Sequence, residues 1–316
     1  MVRLCRKSLK RRGRLFFDDS ATFLLWTSAE IGYNHKGCIS VRPVTRTGRK
    51  EVNELNWYYF SGTGNSLHLA RQLAASLGGR TFSMAEELRK NTVSCETEVL
   101  GLAFPLYYGG LPEMVERFAR TVDLSKVRYV VAVVTKGGSP GGLALEQLRR
   151  IFKSRGKQLN AGFYILMPAN YIALYDAPSE ERQQKLLRRG EAKVQEVAVA
   201  ARAKLDYCEK EALLPGLLWR IIYRFWRIRR PKKSRLFRVD SSRCVSCGVC
   251  VRLCPSGIIS LQEGEPVWKD GCQECMACIQ GCPHQAIQRG TKTESRRRYR
   301  HPLVTLEDLF VDGRDR

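Results

Sequence analysis

Beyond Leu55 the hydrophobic pattern switches repeatedly between strand and helix periods. Residues 56–60 form a short aromatic run of strand type. Leu67, Ala70, Leu73, Ala74 and Leu77 then recur at helical spacing until Gly78-Gly79 stops them. Residues 99–104 and 129–135 are continuous apolar runs, each followed by a helical pattern, near 112–122 and 142–152. Residues 161–167 make the last clear strand, and a long charged helix over about 179–207 closes the unit. Apolar runs without alternation mark strands buried on both faces, and intervening helices imply right-handed crossovers. Residues 55–206 are therefore expected to form a doubly wound α/β domain around a parallel sheet.

The flanks read differently. Residues 1–54 are basic, lack sustained periodicity and are expected to be a disordered extension. Residues 207–238 form a basic connector, 239–290 a small cysteine-rich domain and 291–316 a basic tail. No run reaches the roughly 18 apolar residues that a membrane span needs. Lys10-Arg11-Arg12-Gly13-Arg14-Leu15-Phe16-Phe17 faintly resembles a twin-arginine export signal, but Asp18 and Asp19 interrupt the apolar region that should follow. The expectation is a cytoplasmic protein.

Charge sharpens the picture of the connector. The chain carries a formal +23, and between Glu211 and Asp240 there is no acid among nine Lys or Arg. Leu217, Leu218, Ile221, Ile222 and Phe225 recur along a helical stripe, Arg220, Arg224 and Arg227 share the other face, and Trp219, Tyr223 and Trp226 add amphipathic aromatics. Such a stripe is expected to pack on its own domain. The alternative is peripheral contact with anionic membrane at its inner face. No nucleic-acid module accompanies the charge, so no nucleic acid is expected as a partner.

Eight of the twelve cysteines fall within Cys244–Cys282, while Cys5, Cys38, Cys95 and Cys208 are scattered. A dense regular cluster in a long chain reads as metal binding in a reducing compartment. Cys244, Cys247, Cys250 and Cys254-Pro255 follow C-x2-C-x2-C-x3-C-P, and Cys272, Cys275, Cys278 and Cys282-Pro283 repeat it. Three thiolates two residues apart wrap one cubane, while the fourth reaches the other cluster. Two [4Fe–4S] clusters are expected. Cys244, Cys247, Cys250 and Cys282 would hold cluster one, and Cys272, Cys275, Cys278 and Cys254 cluster two. Structural zinc uses C-x2-C pairs too, but needs no triplet with a fourth Cys-Pro. The repeat also implies a duplicated half-domain with pseudo-twofold symmetry. This region resembles the bacterial two-cluster ferredoxins, which implies low-potential one-electron carriers; basic surroundings would raise the potential.

Directly after the first strand, Ser61-Gly62-Thr63-Gly64-Asn65-Ser66 leads into a helix. Backbone N–H groups at a helix start, with glycines and hydroxyls, cradle an anion. The loop lacks the lysine of an ATP loop and the glycine spacing of dinucleotide folds, and suits a terminal monophosphate. A plain glycine-rich turn is the competing reading. The loop resembles the FMN phosphate loop of flavodoxins. By that resemblance Ser61, Gly62, Thr63, Gly64, Asn65 and Ser66 would hold the phosphate. Pro105-Leu106-Tyr107-Tyr108-Gly109-Gly110 is similar to the loop covering one flavin face, with Tyr107 or Tyr108 stacking on the ring. Thr135-Lys136-Gly137-Gly138 takes the place of the loop along its other edge, and Met167-Pro168-Ala169-Asn170-Tyr171 offers another wall.

Residues 55–290 look like the flavodoxin–ferredoxin fusion proteins of anaerobes. That resemblance implies an electron-transfer protein with FMN and two clusters, exchanging electrons with redox partner proteins, and the basic charge favours partners with acidic docking surfaces. Departures are the basic charge and the unmatched residues 1–54. The alternative is a flavin-dependent reductase of a quinone or nitro compound, although no catalytic acid, base or nucleophile stands out. His35, His68, His284 and His301 are dispersed. A third reading makes the α/β domain a docking module without flavin.

Overall fold

The computed structural model describes residues 2–5, 29–33, 38–43, 55–90, 92–138, 142–210 and 213–311. Residues Met1–Val52 form one unit and Asn53–Arg316 a second. In the first, β1 (Val2–Cys5), β2 (Ala29–Tyr33) and β3 (Cys38–Pro43) pair antiparallel in the order β1-β3-β2. The sequence leads to the expectation of a disordered extension over 1–54, and the described residues there are these three short strands. The alternation of Ile31 with Tyr33, and of Ile39 with Val41, is a strand signal too short to stand out from a basic background. The Lys10–Phe17 motif lies outside the described residues.

The second unit holds the expected strands β4 (Leu55–Tyr59), β6 (Val99–Pro105), β7 (Tyr129–Lys136) and β8 (Ala161–Leu166). Two short strands join them, β5 (Arg80–Ser83) and β9 (Tyr207–Cys208). The sheet runs β5-β4-β6-β7-β8-β9, parallel throughout. β5 and β9 lie at the edges, where no long apolar run is needed, and so they escape a hydrophobicity reading.

Side-chain alternation gives each face its own cover. Trp57, Ala103, Val131, Val133, Phe163 and Ile165 pack with α1 (Asn65–Leu77) and α5 (Glu180–Arg202). Tyr58, Leu102, Phe104, Ala132 and Val134 pack with α3 (Glu113–Thr121) and α4 (Ala144–Ser154) on the other face. A one-turn α2 (Met84–Glu87) follows β5. The chain moves outward in opposite directions from β4 to β5 and from β4 to β6. A crevice therefore opens at the carboxyl ends of β4 and β6.

After α6 (Leu213–Arg229) and a 3-10 stretch over Arg230–Leu236 comes the cysteine-rich module. Its first half is β10 (Phe237–Val239), α7 (Val249–Leu253) and β11 (Ile259–Gln262). Its second half is β12 (Glu265–Trp268), α8 (Ala277–Gly281) and β13 (Ile287–Arg289). β10 pairs β13 and β11 pairs β12, so each half completes a hairpin of the other. Left-handed backbone recurs in register, at Ser246, Gly248 and Gly257 and again at Glu274, Met276 and Gln285. The duplication read from the cysteines thus extends to the whole backbone.

The basic tail packs against both modules. Val304, Leu309 and Val311 join Leu253, Cys275 and Ala277 in the same apolar cluster as the α3 and α4 face of the sheet. Tyr299 and His301 are buried, and His301 stacks on His68 of α1 with ring centroids 3.9 Å apart. Burial, with His68 alongside, holds the His301 imidazole down at about 3. The unfolded imidazole takes its proton near pH 6.5, so between about 3 and 6.5 the unfolded state holds more protons and acid favours it. Thermal unfolding of the cluster-loaded protein should therefore soften as pH falls below 6.5, and less so in His301→Phe. Parallel curves for the two proteins from pH 7.5 to 5.5 would contradict this.

Candidate functional site

Two cavities of similar size lie in the cysteine-rich module. Cys244, Cys247, Cys250 and Cys282 line the first; Cys254, Cys272, Cys275 and Cys278 line the second. These are the two sets that crossed pairing requires, three from one half and the fourth from the other. Among the described residues no three His, Cys, Asp or Glu side chains converge as on a single metal ion. A cubane spreads its four thiolates over four irons, so the arrangement suits a cluster better than zinc.

The cavities differ in exposure. Cys247 is exposed and Cys244 and Cys282 are half-buried, whereas all four cysteines of the second cavity are buried. Burial, with neighbouring thiolates adding to it, pushes Cys250 up to about 12. Burial likewise raises Cys272 to about 11, and lifts Cys275 and Cys278 further. Thiolates at these positions need the positive charge of iron to be stable. Beside Cys282, burial lowers Arg298, and its Nε and Nη1 are buried without a partner. Its guanidinium therefore sets a fixed positive charge near the first cavity.

The loop after β4 forms the other half of the site. Helix α1 starts at Asn65 behind Gly64, which has a φ of 95° and no side-chain cap, and no acid lies in the first turn. The first N–H groups of a helix have no acceptor within it, so this buried start keeps donors for an anion. Ser61 Oγ accepts from Gly64 N at 3.1 Å, and Ser66 Oγ shares a 2.9 Å hydrogen bond with Thr135 Oγ1. Asn170 Nδ2 donates to Thr63 Oγ1 at 2.7 Å, and Asn65 Nδ2 to Pro168 O at 3.0 Å. The tail adds two bonds, Tyr299 OH to Asn65 Oδ1 at 2.6 Å and His301 N to Thr63 O at 2.8 Å. Hydroxyls and uncapped N–H groups converging at one helix start fit a phosphate monoester.

Other expected residues are spread more widely. Lys136 Nζ lies over the Tyr164 ring, 4.9 Å from its centroid, and Gly137 and Gly138 are exposed beyond it. Pro105 ends β6. Tyr107 packs edge-on against Phe60 and Trp226 and pairs with Gly110 across a tight turn. Tyr108 stacks on Trp226 at 5.2 Å and donates its OH to the Tyr171 oxygen at 2.7 Å. Gly109 and Gly110 lie flat against Trp219 and Tyr223 of α6.

The two halves touch. The carbonyl oxygen of Cys275 sits so close to Gly62 that a Cβ there would lie 2.1 Å from it. Glu274, one residue earlier, is buried and accepts from Tyr171 OH at 2.8 Å, from Trp226 Nε1 at 2.6 Å and from Arg289. Sequence reasoning missed Glu274, Arg289 and Arg230, the last donating to the Cys272 carbonyl and pairing with Glu113. Their signal is an acid inside a cysteine loop together with two arginines that the chain must bury.

Two outcomes follow. Glu274→Ala leaves Arg289 buried without its anion and should cost about 3–5 kcal/mol, read by anaerobic denaturant unfolding. Arg298→Gln should lower the potential of any cluster held in the half-exposed cavity and leave that of one held in the buried cavity nearly unchanged, read by redox titration with electron paramagnetic resonance.

Comparison with known proteins bears on the cysteine-rich module first. Residues 243–287 match the model of the 4Fe-4S dicluster domain. A ferredoxin of Pyrobaculum islandicum is 32% identical over 57 residues, covering 17% of this chain and 52% of its own length. A polyferredoxin, MvhB, of Methanothermus fervidus is 29% identical over 69 residues, covering 22% of this chain and 14% of its own. The chain thus spans about half or less of these relatives. Among solved structures, a Streptococcus pneumonia flavodoxin is 18% identical with a TM-score of 0.29, over 46% of this chain and 97% of its own. Rubredoxin oxygen:oxidoreductase from Desulfovibrio gigas is 15% identical with a TM-score of 0.30, over 48% of this chain and 37% of its own. Scores this low carry no argument, but the sheet order does: leaving aside the edge strand β9, it is the 2-1-3-4-5 order of flavodoxin-type folds. The fold joins an α/β domain of flavodoxin-type sheet order to a region that matches the 4Fe-4S dicluster domain.

Proposed function

We propose that the chain is an electron-transfer protein that holds two [4Fe–4S] clusters and FMN and exchanges electrons with partner proteins. Bound there, the clusters would handle electrons singly and the flavin one or two at a time. Cys244, Cys247, Cys250 and Cys282 would ligate cluster one, and Cys254, Cys272, Cys275 and Cys278 cluster two. Ser61–Ser66 and Thr135 would bind the FMN phosphate. The observation that carries this reading is the contact of Cys275 with Gly62. It brings the buried cavity against the loop suited to phosphate, and the tail residues Tyr299 and His301 hydrogen-bond to Asn65 and Thr63 of that loop.

The half-exposed cavity supports the partner assignment. Cys247 and Val245 are exposed at its mouth, and Arg243 lines it. An exposed apolar spot beside a positive charge fits a redox protein whose docking surface is acidic. The reducing chemistry of the cytoplasm suits eight unpaired thiols.

Iron, acid-labile sulfide and FMN content of anaerobically purified protein test the reading. About eight iron, eight sulfide and one FMN per chain are expected, with dithionite bleaching both chromophores. Cys250→Ala should lose about half of the iron, or all of it where the crossed halves fall together. Full iron retention in that variant would refute the ligand assignment. Iron without flavin, even after incubation with FMN, would leave the α/β domain as a scaffold.

A further inference from the structure

Helix α6 has two apolar faces, and the fold covers one of them. Tyr223 and Trp226 turn inward and are buried, and Trp219 lies against Gly109. Tyr223 OH donates to Leu111 O at 2.6 Å. Leu218, Ile221, Phe225 and Ile228 fall on the opposite side and are 61%, 48%, 58% and 68% exposed. At about 100° per residue the four occupy one stripe about 80° wide. Single exposed apolar residues are ordinary on a protein surface, but four adjoining large ones are not.

The cations around the stripe divide into two groups. Arg220, Arg227 and Arg230 pair with Glu146, Glu116 and Glu113 of α4 and α3, which fastens the helix to the domain. Arg224 and Arg229 flank the stripe on its two edges, exposed, and Lys232 continues the row. None of these three has a carboxylate partner among the described residues, and no acid occurs between Glu211 and Asp240. The described helices include none long and apolar enough to cross a membrane.

We propose that α6 is a membrane-contact helix that lies in the surface of an anionic bilayer. Leu218, Ile221, Phe225 and Ile228 enter the acyl boundary while Arg224, Arg229 and Lys232 meet lipid phosphates. A bilayer supplies both an apolar phase and a sheet of negative charge. A second copy of the chain would set its own Arg224 and Arg229 against these, like charge facing like. Docked in this way, the Tyr107–Gly110 turn lies one helix diameter, about 10 Å, from the lipid. The inference stands apart from the cofactor assignment, since neither cavity nor the loop after β4 contributes to the stripe.

Vesicle co-sedimentation of the full cluster-loaded chain tests it. The probes are phosphatidylcholine vesicles with and without about one-third phosphatidylglycerol, in about 0.1 M salt. Wild type should bind the anionic vesicles and bind the neutral ones far more weakly. At about fivefold per arginine, Arg224→Gln/Arg229→Gln should weaken binding roughly 25-fold. Phe225→Ser/Ile228→Ser should weaken it by at least about tenfold. Both variants change exposed positions, and unchanged iron content checks their fold. Three results would overturn the proposal: no binding by wild type, equal binding by wild type and Phe225→Ser/Ile228→Ser, or a lipid-free dimer that this variant abolishes.

Discussion

The space above Gly62 is taken by a backbone carbonyl, and much of the second unit is arranged around that fact. Only a residue without a side chain lets the Cys275 oxygen come so near. Cys275 is the middle cysteine of its triplet, so the contact fixes the cysteine-rich module against the carboxyl end of β4. Its neighbours then fall into place. Ala277 and Leu253 extend the apolar cluster under the sheet, and the tail lays Val304 and Leu309 into the same cluster. Two modules that look separable in sequence share one core. The loop after β4 and the cysteine loop become neighbours for the same reason.

A buried carboxylate locks the arrangement. Glu274 loses its water and would be costly alone, because an ion in an apolar interior loses several kcal/mol of solvation. Arg289, Tyr171 and Trp226 each give it a hydrogen bond, and Lys233 lies 3.9 Å away. These donors come from the second half-repeat, the loop after β8, α6 and the stretch beyond it. Sliding any of these elements would strand the charge, so the pair specifies position more than it adds stability. Tyr108 reaches the same network through Tyr171. The loop after β6 is thereby tied to the cysteine loop.

Much of this was legible in the residues themselves. Runs such as Val99–Pro105 have nowhere to go but a sheet interior, and a helix start without a cap beside three hydroxyls asks for an anion. The cysteine spacing shows the duplication and predicts the two sets of four that line the two cavities. Other parts were not legible, for physical reasons. β5 and β9 sit at sheet edges, where burial does not write a pattern. Tyr299, His301 and Val304 lie among so many arginines that composition masks them. Glu274 reads as a surface acid until the fold surrounds it with donors.

The connector shows how counting apolar positions can mislead. The aliphatic residues of α6 were expected to pack, yet those with described side chains are mainly exposed, and the side chain of Leu217 lies outside the described residues. Trp219, Tyr223 and Trp226 make the contact with the domain instead. The choice follows from what each face meets. The turn after β6 offers two glycines, which accept flat rings, and the cysteine loop offers the buried Glu274 carboxylate, which wants an N–H donor. Trp219 and Tyr223 meet the first demand and Trp226 the second, and leucine or isoleucine could meet neither. Once the aromatic face is committed, Arg220 and Arg227 reach Glu146 and Glu116. The helix cannot then turn its aliphatic stripe inward without breaking those pairs and the Glu274 network together. Exposure of that stripe is thus imposed by the polar contacts of the opposite face, and a helix so fixed presents its apolar side as a stable surface.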